Sequence, residues 1–220
     1  MEAVFEDRVD AGRRLAAKLM HYAGQPDVLV LALPRGGLPV AYEVATALGA
    51  PLDLLLVRKL GVPDQPELAM GAVATGNTRV LNEDIVRLLH IERQSIERIT
   101  QRERAELLRR QQAYRGERPE PVLAGRTLIL IDDGLATGAT MRVAVAAVRQ
   151  QRPHKVVVAV PVAPPETASL MSAEADELVC LMTPEPFRAV GQWYIQFDQT
   201  SDEEVRQILD RAWQKQHSAS

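Results

Sequence analysis

The sequence is short of several residue types that would point to particular classes of protein. Its 220 residues include one cysteine, so an internal disulfide framework is excluded and a reducing compartment, the cytoplasm, is expected. Four scattered histidines argue against a zinc cluster. No apolar run approaches the roughly 20 residues of a membrane helix, and the N-terminal stretch lacks a signal-peptide core, so no membrane association is expected.

Charge of one sign is also lacking. The 26 Lys and Arg residues nearly balance the 29 Asp and Glu residues, which leaves a formal net charge of -3. This balance disfavours a nucleic-acid partner held mainly by charge, although it allows a local cationic pocket. With 46% hydrophobic residues, the composition is that of an ordinary globular protein, and we expect residues 1–220 to form a single domain.

Five short apolar runs predict the core of the fold. They are rich in Val, Leu and Ile and do not alternate with polar residues, which is typical of strands buried on both faces of a parallel sheet. Helical patterns follow three of them. This succession predicts an α/β fold with an open, mainly parallel sheet flanked by helices. The predicted strands are 28–33, 54–57, 128–131, 156–160 and 178–182, and the helices are 38–48, 140–150 and 165–173.

The remaining segments surround a core that we place at about 22–183. An amphipathic helix is predicted over 7–20. An insertion at about 61–120 is expected to hold a β-hairpin, with strands 68–74 and 79–81 around a turn at 75–77, and then a long helix. A small hood and a C-terminal helix are expected to fill about 184–217.

The long helix of the insertion is predicted over 82–114. Asn82 is its expected N-cap, and acid-first pairs four residues apart, Glu83 with Arg87 and Glu106 with Arg110, should support it. The simplest interpretation is a solvated, salt-bridged helix. The alternative is a lid or an oligomer contact, for which a homodimer is the simplest arrangement.

The most informative stretch is 127–143, TLILIDDGLATGATMRV. A buried strand ends in Asp132 and Asp133, and a loop of small residues then leads into a helix. Such a loop can close its backbone N–H groups around an anion at the positive end of the helix. Two carboxylates beside the loop would repel a phosphate unless they bind sugar hydroxyls instead. A ribose 5-phosphate group suits both the loop and the acids, because it carries a phosphate and hydroxyls. The plain alternative is a strand, turn and helix with a surface acidic pair.

This stretch resembles the phosphoribosyl pyrophosphate (PRPP) signature of the type I phosphoribosyltransferases. The likeness lies in four hydrophobic residues, two acids and a loop that ends in Thr-Gly-x-Thr. It implies that Asp132 and Asp133 bind the ribose hydroxyls and take part, directly or through water, in binding Mg²⁺. It also implies that the loop binds the 5′-phosphate, through Gly134, Leu135, Ala136, Thr137, Gly138, Ala139 and Thr140.

A second element is the Pro34–Gly37 turn, which follows the first predicted strand. Paired glycines allow positive φ and a close backbone approach to a ligand, although a tight turn alone would explain them. In the light of the resemblance, Arg35, Gly36 and Gly37 are expected to form the pyrophosphate-binding loop. The family's cis peptide would then fall between Pro34 and Arg35.

The third element is Arg58 and Lys59, which we place at the end of the second predicted core strand. Bases at the carboxyl edge of such a strand lie at the mouth of the crevice. The resemblance implies that they face the pyrophosphate, whereas read alone they are solvated strand-end residues.

Aromatic residues are scarce, at 4% of the chain, yet four of them lie within 187–197. In the resembled family an aromatic residue of the hood stacks on the nucleobase, so Phe187, Trp193 and Tyr194 are the candidates. The alternative is a hydrophobic cluster that fastens the C-terminal helix to the body.

The implied function is transfer of ribose 5-phosphate from PRPP, with Mg²⁺ as cofactor, to a nucleobase or similar small nitrogen acceptor. Ala136 stands where hypoxanthine-guanine relatives carry an Asp that handles a purine proton, so no general base is identified. The alternative is a regulatory protein that keeps the fold and senses PRPP or a nucleotide without catalysis.

Overall fold

The computed structural model describes residues 4–76 and 78–218. Asn77, the third residue of the expected hairpin turn, lies outside the described residues.

The elements follow the alternation that the apolar runs predict. The helices are α1 Arg8–Leu19, α2 Gly37–Leu48, α3 Glu83–Leu88, α4 Arg93–Arg115, α5 Ala139–Arg149, α6 Pro165–Glu174 and α7 Asp202–Ser218. The strands are β1 Val28–Ala32, β2 Leu52–Leu54, β3 Val57–Val62, β4 Gln65–Ala74, β5 Thr78–Leu81, β6 Thr127–Ile131, β7 Lys155–Val162 and β8 Glu177–Met182.

The predicted α/β fold is confirmed. Five strands pair in the order β2-β1-β6-β7-β8, and every pairing is parallel. All residues of β1 and β6 are buried, which explains their continuous apolar runs. Helices α1 and α2 pack on one another and on the sheet, as do the apolar faces of α5 and α6. The predicted α1 is capped by Asp7, whose side chain accepts a hydrogen bond from the Asp10 N–H at 2.8 Å.

The second predicted core strand, 54–57, is wrong in its position and extent. The sheet strand β2 ends at Leu54. The chain then leaves the sheet through two buried leucines and enters β3, where Val57 pairs antiparallel with Ala74. The Thr75 hydroxyl accepts a hydrogen bond from the Leu56 N–H at 2.9 Å, which fixes this crossing. The apolar run at 54–57 is continuous, so it gives no sign that the chain passes from the parallel sheet into the antiparallel pair of β3 and β4.

The predicted hairpin is confirmed as β4 and β5, and it belongs to a three-stranded antiparallel sheet with the order β3-β4-β5. The long helix that should follow is instead two helices. Helix α3 ends in a Schellman motif at His90, whose φ is 49°. The His90 N–H bonds to the Arg87 carbonyl, and the Ile91 N–H bonds to the Val86 carbonyl at 3.0 Å.

The expected capping and pairing of this segment are partly confirmed. The Asn82 side chain accepts a hydrogen bond from the Ile85 N–H at 3.2 Å, and Arg110 pairs with Glu106 at 2.8 Å. Arg87 pairs with the Asp84 carboxylate at 2.7 Å rather than with the Glu83 carboxylate. Among the described residues, no helix has the length and hydropathy needed to cross a membrane.

Candidate active site

The two best sequence motifs meet at one edge of the parallel sheet. Strands β1 and β6 are neighbours in register, with Ala32 opposite Ile131, so their carboxyl ends open at the same level. The Leu33 N–H extends the pairing to the Ile131 carbonyl at 2.9 Å. The Pro34–Gly37 turn and the Asp132–Asp133 pair therefore face one another across this edge, where ligands of open α/β sheets bind.

The paired glycines let the turn press against the acids. A Cβ atom on Gly36 would lie 2.2 Å from Asp133 Oδ2, and one on Gly37 would lie 2.6 Å from the Ile131 carbonyl oxygen. The turn uses the close approach that glycine allows and not positive φ at Gly36, which has a φ of -61°, while Gly37 begins α2. The Pro34–Arg35 peptide is cis, as the resemblance implied.

The two acids are in different electrostatic environments. Burial and the neighbouring carboxylate raise the pKa of Asp132 well above its ordinary value. Burial also raises the pKa of Asp133, but the guanidinium of Arg8 opposes this effect. Arg8 donates from Nε and Nη2 to Asp133 Oδ2, both at 2.9 Å. One acid of the pair therefore has a fixed counter-charge and its neighbour does not.

The loop after the acids leads into the N-terminus of α5. Gly138 has a φ of 70°, a left-handed conformation that glycine adopts without a steric penalty, and it is the N-cap of α5. Two contacts fix the loop from behind: the Leu135 N–H bonds to the Val162 carbonyl at 2.9 Å, and the Thr167 hydroxyl donates to the Ala136 carbonyl at 2.8 Å. Four loop residues are exposed, as an anion-binding loop requires: Ala136, Thr137, Ala139 and Thr140.

Arg35 lies where the turn meets two other elements. Its Nη1 atom is 3.5 Å from Asp202 Oδ1, at the start of α7. The Tyr114 hydroxyl of α4 donates to the same oxygen at 2.7 Å. These two contacts, with the hydrogen bond from Tyr114 as the larger cause, lower the pKa of Asp202. A carboxylate thus stands beside the arginine that the resemblance assigns to pyrophosphate.

Arg58 and Lys59 lie within β3 and not at the end of a core strand, so that expectation is wrong in its structural detail. Arg58 nevertheless lines a crevice beside the turn. Its Nε and Nη2 atoms donate to Glu103 Oε2 of α4 at 3.0 and 2.6 Å. Lys59 is exposed on the next position of the strand. The crevice brings together parts of three predicted motifs: it is lined by Leu33, Pro34, Leu55, Leu56, Val57, Arg58, Leu107, Arg110 and Thr140.

The three hood aromatics differ in exposure. Trp193 and Tyr194 are buried, and they pack with Phe5 in a cluster that touches Val162 at the end of β7. The Tyr194 hydroxyl donates to the Asp133 carbonyl at 2.6 Å. Phe187 is half-buried, and its ring stacks on Trp193 with the centroids 6.2 Å apart. Of the three candidates, Phe187 offers the most surface to a ligand.

Sequence reasoning missed charged residues that contact the candidate site from outside the motifs, namely Arg8, Glu103 and Asp202, and it missed Tyr114, which bonds to Asp202. Their partners are between 45 and 167 positions away along the chain. No local pattern marks such pairs, because α1, α4 and α7 carry many charged residues that face solvent.

The architecture and the site together define an α/β phosphoribosyl-transfer fold, and comparison with known proteins agrees. The family model of the phosphoribosyl transferase domain matches residues 3–196, so the chain belongs to this family. Two Mycobacterium tuberculosis proteins from strains CDC 1551 and H37Rv, both named provisionally as phosphoribosyl transferases, are 50% identical over 209 residues.

The match covers 95% of this chain and 47% of each of those proteins, so the chain spans about half the length of these curated relatives. Among solved structures, the crystal structure of TT1426 from Thermus thermophilus is similar to the whole fold. It superposes with a TM-score of 0.85 at 45% identity, and the match covers 94% of this chain and 97% of that one.

Proposed function

We propose that the chain binds PRPP and transfers its ribose 5-phosphate to a small nitrogen acceptor, with release of pyrophosphate. The observation that carries this proposal is the contact of the acid pair with Gly36 and Gly37 beside the loop at the start of α5. PRPP carries hydroxyls, a phosphate and a pyrophosphate around one ring. Its site therefore needs carboxylates that accept hydrogen bonds from the hydroxyls, next to backbone N–H groups that bind the anions.

Each part of PRPP then has a partner. The carboxylates of Asp132 and Asp133 accept hydrogen bonds from the ribose hydroxyls. The backbone N–H groups of the loop at 134–140 donate hydrogen bonds to the 5′-phosphate. Arg35, Arg58 and Lys59 are assigned to the pyrophosphate. The bond from the ribose C1 atom to the pyrophosphate oxygen breaks, and its electron pair leaves with pyrophosphate. The acceptor nitrogen forms the new bond to C1 and loses a proton to the departing pyrophosphate or to water.

Magnesium fits this site only with the substrate's help. Among residues 4–76 and 78–218, no group of three or more His, Cys, Asp or Glu side chains is arranged to hold a metal ion. Mg²⁺ keeps several waters and takes phosphate oxygens together with one or two carboxylates, and Asp132 and Asp133 are suited to that minor share. When bound, it would neutralise the charge of the departing pyrophosphate.

The identity of the acceptor is not specified by loop position 136, where acid–base chemistry would occur. Ala136 is exposed beside the acid pair and has no proton to exchange. The proposed catalysis therefore depends on anion stabilisation and on an acceptor that needs no general base from this loop. Phe187 is the candidate for stacking on that acceptor. We propose a small molecule as the acceptor and a homodimer as the assembly.

One observation favours the alternative of a PRPP or nucleotide sensor. Both arginines that are assigned to pyrophosphate already contact a carboxylate, Arg35 with Asp202 and Arg58 with Glu103. Pyrophosphate must compete with these pairs, which would slow turnover while still permitting binding that rearranges α4 and α7.

Pyrophosphate release from PRPP and Mg²⁺ separates the two functions. The assay is run across a panel of purine and pyrimidine bases and simple amines, with PRPP binding measured in parallel by titration calorimetry. Release that depends on one acceptor supports the transferase. Binding without release for any acceptor supports the sensor, and the absence of PRPP binding contradicts both the transferase and a sensor of PRPP.

A further inference from the structure

Arg8 connects the acid pair to the hood, here the segment at 184–200 before α7. Its Nε and Nη2 atoms bind Asp133 Oδ2, and its Nη1 atom donates to the Asp198 carbonyl at 2.7 Å. The guanidinium also lies over the ring of Phe197, 4.0 Å from the centroid. One side chain from α1 thus joins two segments that are 65 residues apart, at positions 133 and 198.

The contact with Asp133 uses one oxygen and leaves its partner oxygen for another ligand. Both donors of Arg8 converge on Oδ2, which is also the oxygen that lies against Gly36. Oδ2 is therefore fixed between the guanidinium and the turn. Asp133 Oδ1 receives neither donor, so a ribose hydroxyl could bind there without displacing Arg8.

Arg8 is itself held in place. Only 12% of its side chain is exposed. Phe197 packs on Tyr194 with ring centroids 5.0 Å apart, and the Tyr194 hydroxyl donates to the Asp133 carbonyl. Asp133 is consequently restrained at both its side chain and its backbone by residues that contact the hood. The guanidinium that holds the carboxylate is the same group that contacts Phe197 and the Asp198 carbonyl.

We propose that Arg8 is a positioning residue that orients Asp133 for the ribose of PRPP and couples that orientation to the position of the hood. The inference rests on the proposed function, since it assumes that Asp133 binds a ribose hydroxyl. Residues that hydrogen-bond and orient metal-binding side chains typically contribute about 10–100-fold to metal affinity or activity, and we expect an effect of the same order here. A guanidinium is suited to the role because it can donate to a carboxylate and a carbonyl at once.

The test measures the affinity for PRPP with Mg²⁺ by titration calorimetry in four forms of the protein: wild type, Arg8→Gln, Arg8→Lys and Arg13→Gln. Arg13 is the matched control, because it lies on the same helix and pairs with Glu43 at 3.1 Å while its side chain is 70% exposed. Arg8→Gln should weaken binding by about 10-fold or more. Arg8→Lys should recover part of the loss, and Arg13→Gln should bind like the wild type.

A double-mutant cycle with Asp133→Asn shows whether Arg8 acts through Asp133. If it does, Arg8→Gln combined with Asp133→Asn binds PRPP no more weakly than Asp133→Asn alone. Fully additive losses would mean a general structural role and would overturn the inference. So would unchanged or tighter binding by Arg8→Gln, the latter because Arg8 would then compete with ribose. If the wild type itself does not bind PRPP, the proposed function fails and this inference fails with it.

Discussion

At the scale of the residue, the acid pair is asymmetric. Asp132 and Asp133 are consecutive and chemically identical, yet only Asp133 has an arginine partner. A buried carboxylate without a counter-charge costs stability when it ionises, whereas a paired one costs less. The same substitution therefore removes an unpaired charge at Asp132 but breaks an ion pair with Arg8 at Asp133.

We expect Asp132→Asn to raise the free energy of unfolding at pH 7 by about 1 kcal/mol. The pKa of Asp132 is raised on folding, so its contribution to stability is lost as the pH rises above the ordinary value of 3.8 towards the folded pKa. Asparagine keeps an oxygen for the Asp133 N–H, which Asp132 Oδ1 accepts at 2.9 Å. Urea unfolding at pH 7 and near pH 3 measures the effect, and the gain should vanish at the lower pH.

Asp133→Asn should instead lower the free energy of unfolding at pH 7 by about 1–3 kcal/mol, because it leaves the guanidinium of Arg8 without its carboxylate. The same urea titration measures it. Equal effects of the two substitutions would contradict the asymmetry.

Gly36→Ala tests the contact between turn and acids. A methyl group there would meet Asp133 Oδ2 at 2.2 Å, so the turn or the carboxylate must move. We expect a loss of about 1–3 kcal/mol in stability and at least about 10-fold weaker PRPP binding. Gly24→Ala is the control for glycine replacement: its φ of 71° disfavours alanine, so that variant is strained too, but the added methyl would meet nothing within 4 Å. That variant should bind PRPP normally.

At the scale of the element, the insertion is tied to the parallel sheet by a buried ion pair. Arg115 ends α4, and its Nη1 and Nη2 atoms contact the two carboxylate oxygens of Asp53 in β2. Both residues are buried, and burial raises the pKa of Asp53 despite the nearby guanidinium. The same α4 holds Arg58 and packs against β3, so this tie helps to locate one wall of the crevice.

Asp53→Ala should lower the free energy of unfolding by about 3–5 kcal/mol, because a buried guanidinium is left unpaired. Arg149→Gln is the matched control, since Arg149 and Asp176 form an exposed pair at 3.1 Å whose loss should cost about 0–1 kcal/mol. Chemical denaturation of both variants measures the difference. Equal losses would mean that the Asp53 pair is not what secures α4.

The sequence predicted the elements whose signals are local, and it failed where the signal depends on partners elsewhere. The buried strands β1, β6 and β7, the half-buried edge strand β8 and the loop before α5 carry patterns within a few residues. The break at His90 is a Schellman motif without the usual glycine, so composition did not reveal it. The end of β2 is hidden by the leucines that follow, and the contact of Arg8 with Asp133 spans 125 positions.

At the scale of the whole molecule, opposite charges nearly balance, with a net charge of -3, and they form ion pairs at the candidate site as well as on the surface. Three charged groups that the resemblance assigns to PRPP form an ion pair with a residue of a peripheral helix: Asp133 with α1, Arg58 with α4 and Arg35 with α7. The parallel sheet supplies the loops, and these helices set the charge around them. Ligand binding should therefore perturb helices α1, α4 and α7.

The central claim is that the acid pair and the adjacent loops form a PRPP site. The most direct measurement is titration calorimetry of PRPP with Mg²⁺ on the wild type and on the variant that carries both Asp132→Asn and Asp133→Asn, with circular dichroism to show that both are folded. We predict saturable binding by the wild type and none by the folded double variant. Equal binding by the two proteins would contradict the account.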